Sequence, residues 1–340
     1  MPLLDVKNLK VFFYTDEGVV EAVNDVSYSV DVGKTLGVVG ESGSGKSVSA
    51  MTIMKLIPMP PGRVLKGSIS FDDKDILNIS EREMRTVRGN DIAMIFQDPM
   101  TSLNPVLTIG DQISESLILH KGMSKKEAWD FSGDMLEKVK IPLPRQRLGE
   151  YPFQLSGGMR QRVMIAIALC CFPKLLIADE PTTALDVTVQ AQILDLINEL
   201  QQDYDSAVMM ITHDLGVVAE VADDVVVMYA GMVMEAGNVR QIFHDPQHPY
   251  TKGLLSCLPR FDIKSSRLEP IQGQPPNPSR LPVGCPYSPR CPQVHPRCGE
   301  RPPSFETDDG RLVRCWLCEG KLPVAATETE PSQAAKKEVS

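Results

Sequence analysis

The chain has 340 residues, 42% of them hydrophobic and 23% charged. That is enough apolar material for a sizeable core and about two domains, and it excludes disorder of the whole chain. With 35 Lys and Arg against 44 Asp and Glu, the formal charge is −9; this argues against a general affinity for nucleic acid or anionic lipid, both of which need a basic face. No uncharged apolar run approaches the roughly 18 residues of a membrane span. The opening MPLLDVKNLKVFF lacks a signal-peptide layout, so the chain reads as cytosolic, with any membrane role passing through a partner.

Residues 1–35 carry β-favouring runs at 11–14 (VFFY) and 26–30 (VSYSV), which predict a small sheet. Residues 36–39 predict a short buried strand, 40–47 a glycine-rich loop, and the following residues a helix to about Ile57, stopped by Pro58, Pro60 and Pro61. Strands are expected at 69–71 and 92–96, and a helical stretch from about 105 to 170. Residues 175–178 predict a buried strand ending in Asp179 and Glu180. Val189, Ile193, Leu196, Ile197 and Leu200 mark one face of a helix, and 208–211 and 225–228 predict two more strands. Strands alternating with helices predict an α/β core with a mainly parallel sheet. Composition shifts near Pro259, with 14 of the 27 prolines at or beyond it, so little regular structure is expected there without another source of order. Polar residues from about 323 to 340 predict a disordered tail.

Gly40-Glu41-Ser42-Gly43-Ser44-Gly45-Lys46-Ser47 fits the phosphate-loop pattern G-x-x-x-x-G-K-S/T between a predicted strand and a predicted helix. Its glycines let backbone N–H groups converge on phosphate oxygens, and the helix N-terminus adds partial positive charge. Lys46 is expected to reach the β- and γ-phosphates and Ser47 to ligate Mg²⁺. Asp179 and Glu180 close a buried strand on the side where parallel sheets bind ligands. Asp179 is therefore expected to hold Mg²⁺ and Glu180 to take a proton from the attacking water. Leu155-Ser156-Gly157-Gly158-Met159 is a second glycine turn before a helix, with Ser156 as its natural N-cap. One nucleotide needs one phosphate loop, so the second turn is expected to serve a nucleotide held by another subunit.

With these motifs the chain resembles the ATP-binding-cassette (ABC) ATPases over about residues 3–255. The resemblance implies a P-loop core with an antiparallel β subdomain and a helical subdomain (about 105–165). It makes 1–258 the nucleotide-binding domain and leaves 259–322 as a Cys/Pro-rich C-terminal extension. It implies ATP and Mg²⁺ as cofactors, with Gln97 (in IFQDP) contacting Mg²⁺ and water, Asp186 in the D-loop ALD, and His213 (in ITHD) contacting the γ-phosphate. The family's signature turn usually carries Gln where Met159 stands. Phe13 or Tyr14 is the candidate for stacking on adenine. QDPMTSLNP at 97–105, ADEPTTALDVT at 178–188 and HPYT at 248–251 are similar to the oligopeptide and dipeptide importer ATPases, in their D-type subunit. This implies a peripheral subunit at the cytoplasmic face of the membrane that hydrolyses ATP to energise peptide uptake. Its partners would be a paralogous ATPase, two transmembrane permeases and an extracytoplasmic substrate-binding protein, with no nucleic acid; residues 101–116 would face the permease. The alternatives are a soluble ABC ATPase acting on nucleic acid or ribosomes, or an importer ATPase for nickel complexes, opines or sugars.

Cys285, Cys291, Cys298, Cys315 and Cys318 crowd the proline-rich extension. In a reducing compartment such a cluster points to metal rather than disulfides, and its spacing alone leaves the metal open. The importer resemblance implies a 4Fe–4S cluster on Cys285, Cys291, Cys298 and Cys315. Cys318 is spare, and zinc is kept as the alternative through Cys315-x2-Cys318.

Overall fold

The computed structural model describes residues 2–182, 186–258 and 270–320. The expected tail at 323–340 and the first residues of the extension, 259–269, lie outside them.

The N-terminal residues form a four-stranded antiparallel sheet. Its strands are β1 (Leu4–Thr15), β2 (Gly18–Val30), β4 (Gly62–Phe71) and β5 (Lys74–Asp75), in the order β2-β1-β4-β5. The core sheet contains β3 (Thr35–Val39), β6 (Ile92–Ile95), β7 (Leu175–Asp179), β8 (Ala207–Thr212), β9 (Asp224–Tyr229), β10 (Met232–Asn238), β11 (Phe305–Glu306) and β12 (Leu312–Val313). Their order is β11-β12-β10-β9-β3-β8-β7-β6. From β9 to β6 every neighbour pair is parallel. β3, β7 and β8 are buried at every position, which is why they read as short apolar runs rather than alternating ones.

Two apolar layers sandwich this sheet. One joins the N-terminal sheet to the core strands through Leu4, Val6, Ile53, Phe71, Val38 and Ile177. The other packs the helical subdomain against the opposite face, through Ile113, Leu136, Val163, Leu176 and Leu196. The helical subdomain is built from Ile109–Lys121, Lys125–Lys138 and Gly157–Leu169. Thr108 caps the first helix, Ser124 and Glu127 form a capping box on the second, and Gly122 at φ 65° ends the first.

The helix after the phosphate loop is shorter than its sequence suggests. It spans Lys46–Ile53 and stops before the prolines, because Lys55 turns left-handed at φ 50°. The Lys55 ammonium then donates to the carbonyls of Leu77 and Ile79.

The cysteine-bearing segment is joined to the core sheet. β12 pairs with β10 through Glu235–Val313 and Ala236–Leu312, and β11 pairs with β12. Arg314 donates to the Val233 carbonyl and to Asp25. Cys285, Tyr287 and Cys298 share an apolar cluster with Tyr229, Met232 and Tyr250. The order that the proline-rich composition lacks comes from this edge.

Candidate functional site

Four neighbouring parallel strands deliver the site from their carboxyl ends. Gly40 follows β3, His213 follows β8, Asp179 ends β7 with Glu180 just after it, and Gln97 lies just past β6. The sequence order 40, 97, 179–180, 213 thus becomes one row of residues along a single sheet edge, where such sheets bind their ligands.

The loop from Gly40 to Ser47 is held tightly. Gly40 has φ +154°, and a Cβ there would lie 2.1 Å from the Met228 carbonyl oxygen; Gly45 has φ +96°, and its Cβ would lie 2.2 Å from that of Ala22. Neither position accepts a side chain, so these glycines are dictated by backbone approach as well as by phosphate access. Lys46 is buried and donates through Nζ to the carbonyls of Gly40 at 2.7 Å and Glu41 at 3.1 Å. Burial pulls its ammonium below the usual range, against the carboxylates of Glu180, Asp179 and Glu41, which favour the charge.

Ser47 Oγ donates to Asp179 Oδ1 at 3.0 Å. This closes the loop onto β7 and places a hydroxyl beside a carboxylate, the donor set a hard divalent cation takes. Burial pushes the Asp179 carboxyl up, countered by Ser47 and Lys46 and reinforced by Glu180. A desolvated ammonium beside a desolvated acid is stabilised by a bound ligand carrying both signs of charge, which a magnesium-bound triphosphate does.

Glu180 is the hub. Its backbone is left-handed at φ 48°, and its N–H donates to the Ile211 carbonyl at 2.8 Å. A non-glycine residue in this region costs on the order of 1 kcal/mol or more and is over-represented at functional sites. Its Oε2 accepts from Gln97 Nε2 at 2.8 Å, and its Oε1 lies 3.2 Å from His213 Nδ1. The glutamine and histidine read from the sequence therefore meet on the two oxygens of one carboxylate.

The second glycine turn lies on the helical subdomain. Ser156 caps the helix Gly157–Leu169 and accepts from Met159 N–H. Leu155 is buried, Ser156 and Gly157 are exposed, and a Cβ on Gly157 would meet nothing within 4 Å. Gln161 is buried and donates to the Pro181 carbonyl at 2.6 Å, bracing this helix against the segment after Glu180. Asp186 caps the helix Val187–Tyr204 through Val189 N–H; Ala184 and Leu185 lie outside the described residues. Of the two aromatic candidates, Phe13 is partly buried against the N-terminal core, whereas Tyr14 is exposed with the Arg63 guanidinium 5.1 Å from its ring centre.

Residues that the motifs do not point to also touch the loop. Arg290 forms a two-pronged pair with the Glu41 carboxylate, and Tyr250 Oη accepts from the Glu41 N–H.

In the extension, Cys285, Cys291, Cys298 and Cys315 line one cavity with Tyr287, Trp316 and His248. Cys318 is buried instead with Phe305 and Val313. The cysteines are unbridged. Burial pushes the Cys285, Cys291 and Cys315 thiols up, the last to about 12, and their neighbouring thiols add to it. Among the described residues no group of three or more His, Cys, Asp or Glu side chains stands ready to hold a metal ion.

Comparison with known proteins gives two family matches, the ABC transporter model over residues 23–183 and the oligopeptide/dipeptide transporter C-terminal region over residues 234–298. The oligopeptide transport ATP-binding protein OppD of Salmonella typhimurium is 55% identical over 314 residues, covering 92% of this chain and 93% of that protein. The dipeptide transport ATP-binding protein DppD of Bacillus subtilis is 54% identical, covering 93% and 94%. Among solved structures, a dimeric post-hydrolysis state of the ATP-binding cassette MJ0796 bound to ADP and Pi superposes with a TM-score of 0.63 at 27% identity. It covers 70% of this chain and 99% of that one.

Proposed function

Since the chain belongs to the ABC transporter ATPases, in the group of oligopeptide and dipeptide transport ATP-binding proteins, we propose that it binds and hydrolyses ATP to drive peptide import through partner permeases. The observation that carries this reading is the convergence on Glu180 of Gln97 and His213, next to the Ser47–Asp179 pair and the Lys46 loop.

In this reading the loop from Gly40 to Ser47 cradles the phosphates. Two Lys46 donors brace the loop and the third meets a phosphate oxygen. Ser47, Asp179 and Gln97 hold the Mg²⁺, which supplies charge neutralisation of the triphosphate. Glu180 takes the proton of the attacking water, with Gln97 orienting that water and His213 contacting the γ-phosphate. Phe13 or Tyr14 stacks on adenine.

Leu155 to Met159 clasp the nucleotide of a second, paralogous cassette, with Asp186 of the D-loop at the same junction. The open surroundings of Ser156 and Gly157 and the dimeric state of the MJ0796 cassette support this arrangement. Residues 1–258 form the cassette, with a helical subdomain at about 105–165, and 259–322 the extension.

Among the described residues no helix is long and apolar enough to cross a membrane. In this reading attachment to the cytoplasmic face runs through permease subunits fed by a substrate-binding protein, which the transport role printed for the OppD and DppD relatives supports. The permease docks on the exposed apolar residues Val106 and Leu107 together with Tyr151 and Phe153. These two segments are adjacent, because Ile109 N–H donates to the Glu150 carbonyl, and the Tyr151 and Phe153 rings stack at 5.6 Å. The reading is tested by reconstituting the chain with its permeases, its partner ATPase and the binding protein in vesicles. Peptide-loaded binding protein is expected to raise ATP turnover several-fold; stimulation by nucleic acid, with none by peptide, would overturn it.

The extension carries a 4Fe–4S cluster on Cys285, Cys291, Cys298 and Cys315, four thiols on one cavity that excludes Cys318. The shared cavity supports these four thiols as the ligand set, with zinc as the alternative occupant. Bound iron would cross-link the proline-rich loops that the sheet edge already holds in place. Anaerobically purified protein is expected to be brown, absorb near 400 nm and lose that band in Cys291→Ser. Stoichiometric zinc without iron would refute the assignment.

A further inference from the structure

Glu41, the first variable residue of the phosphate loop, is gripped from the far end of the chain. Arg290 donates from Nη1 to Glu41 Oε2 at 2.6 Å and from Nη2 to Oε1 at 3.0 Å. The guanidinium is nearly buried, its side chain only 4% exposed. It is fixed on two further sides, by Nη1 to Tyr229 Oη at 3.2 Å and Nε to the Gln272 carbonyl at 3.0 Å. The Glu41 N–H donates to Tyr250 Oη at 3.0 Å, and the rings of Tyr229, Tyr250 and Tyr287 pack against one another at 4.6–5.3 Å between centres. Side chain and backbone of Glu41 are thus both set by residues outside the loop. The grip passes inward, because Lys46 Nζ donates to the carbonyls of Gly40 and Glu41.

We infer that Arg290 is a positioning residue for nucleotide binding, through which the cysteine-bearing extension sets the shape and charge of the phosphate loop; this rests on the reading of residues 40–47 as an ATP site. Two physical effects combine. A bidentate guanidinium–carboxylate pair fixes orientation as well as distance, so the peptide plane that anchors Lys46 is held before nucleotide arrives. Glu41 also places a negative charge beside a site for a highly anionic ligand, and Arg290 cancels it. Removing Arg290 leaves that half-buried carboxylate uncompensated beside the site for the triphosphate. Arg290 sits between Tyr287 and Cys291, both on the thiol-lined cavity, so its pair with Glu41 ties the loop bearing the thiols to the phosphate loop.

The test is a set of MgATP titrations on the full chain at fixed ionic strength. Arg290→Met is expected to raise the dissociation constant about tenfold or more, shifting KM for ATP more than kcat. Adding Glu41→Gln to that variant is expected to recover part of the lost affinity, since the uncompensated charge is then gone while the orienting fork stays lost. A purely structural role for Arg290 predicts no such recovery. Should Arg290→Met fail to fold, Arg290→Lys, which keeps the charge and loses the fork, is expected to bind ATP several-fold more weakly than wild type. Wild-type affinity in the Arg290 variant that folds would overturn the inference, as would a loss in Arg290→Met that Glu41→Gln leaves unrepaired. A wild-type chain that binds no ATP would instead refute the site itself.

Discussion

Replacing Glu180 by Gln is expected to leave ATP binding intact and to lower turnover by about 10²–10⁴-fold, the range a positioned general base supplies. The substitution keeps the size of the side chain and a carbonyl oxygen for Gln97, and it removes the carboxylate that the reading assigns to the proton of water. Because Glu180 lies at the junction of Gln97 and His213, the variant retains the surrounding frame and isolates the proton transfer. Trapped with ATP, it is also expected to associate with its partner cassette, because the ligand that bridges loop and signature turn then persists. Single-turnover hydrolysis together with sedimentation in ATP and in ADP checks both parts. Normal turnover would remove Glu180 from the role of base, and failure of ATP to drive association would count against clasping by Leu155 to Met159.

Replacing Lys46 by Ala is expected to fail one step earlier, at binding. Its ammonium is buried and braces the loop through two carbonyls. The variant loses a charged donor to the phosphates and also leaves the Gly40 and Glu41 carbonyls without it. A hydrogen bond to a charged group contributes about 1.5–3 kcal/mol, so affinity for MgATP is expected to fall by roughly 10–150-fold. Titration calorimetry of wild type and variant measures this directly. Unchanged affinity would show that the loop binds its ligand without the lysine.

The parts of this site that sequence reveals are those written in short contiguous stretches. The phosphate loop needs glycine where a Cβ would strike Met228 or Ala22, and that necessity appears as a spacing of glycines. Asp179 and Glu180 end an apolar run because β7 is buried throughout. The meeting of Gln97, Glu180 and His213 follows once the strand order is known, since each ends a neighbouring parallel strand.

Arg290 is different. Its partner lies 249 residues away, it sits in a 3₁₀ turn of three residues, Ser288–Arg290, and no periodicity marks it. The two-residue strands β11 and β12 are equally silent, because pairing with β10 and not local propensity makes them strands. The early end of the helix Lys46–Ile53 depends on Lys55 reaching the Leu77 and Ile79 carbonyls, a tertiary contact that overrides the proline signal downstream. The cysteines suggest a metal from composition and the resemblance leaves Cys318 spare; the fold adds that Cys315 lines the shared cavity and Cys318 does not.

The central claim is that residues 40–47 hold a magnesium-bound triphosphate, and equilibrium dialysis of the folded chain against labelled ATP with Mg²⁺ tests it most directly. The account predicts saturable uptake of a single nucleotide per chain, dependent on Mg²⁺ and greatly weakened in Lys46→Ala; a well-folded chain that takes up no ATP, or takes it up equally with Lys46 removed, would contradict it.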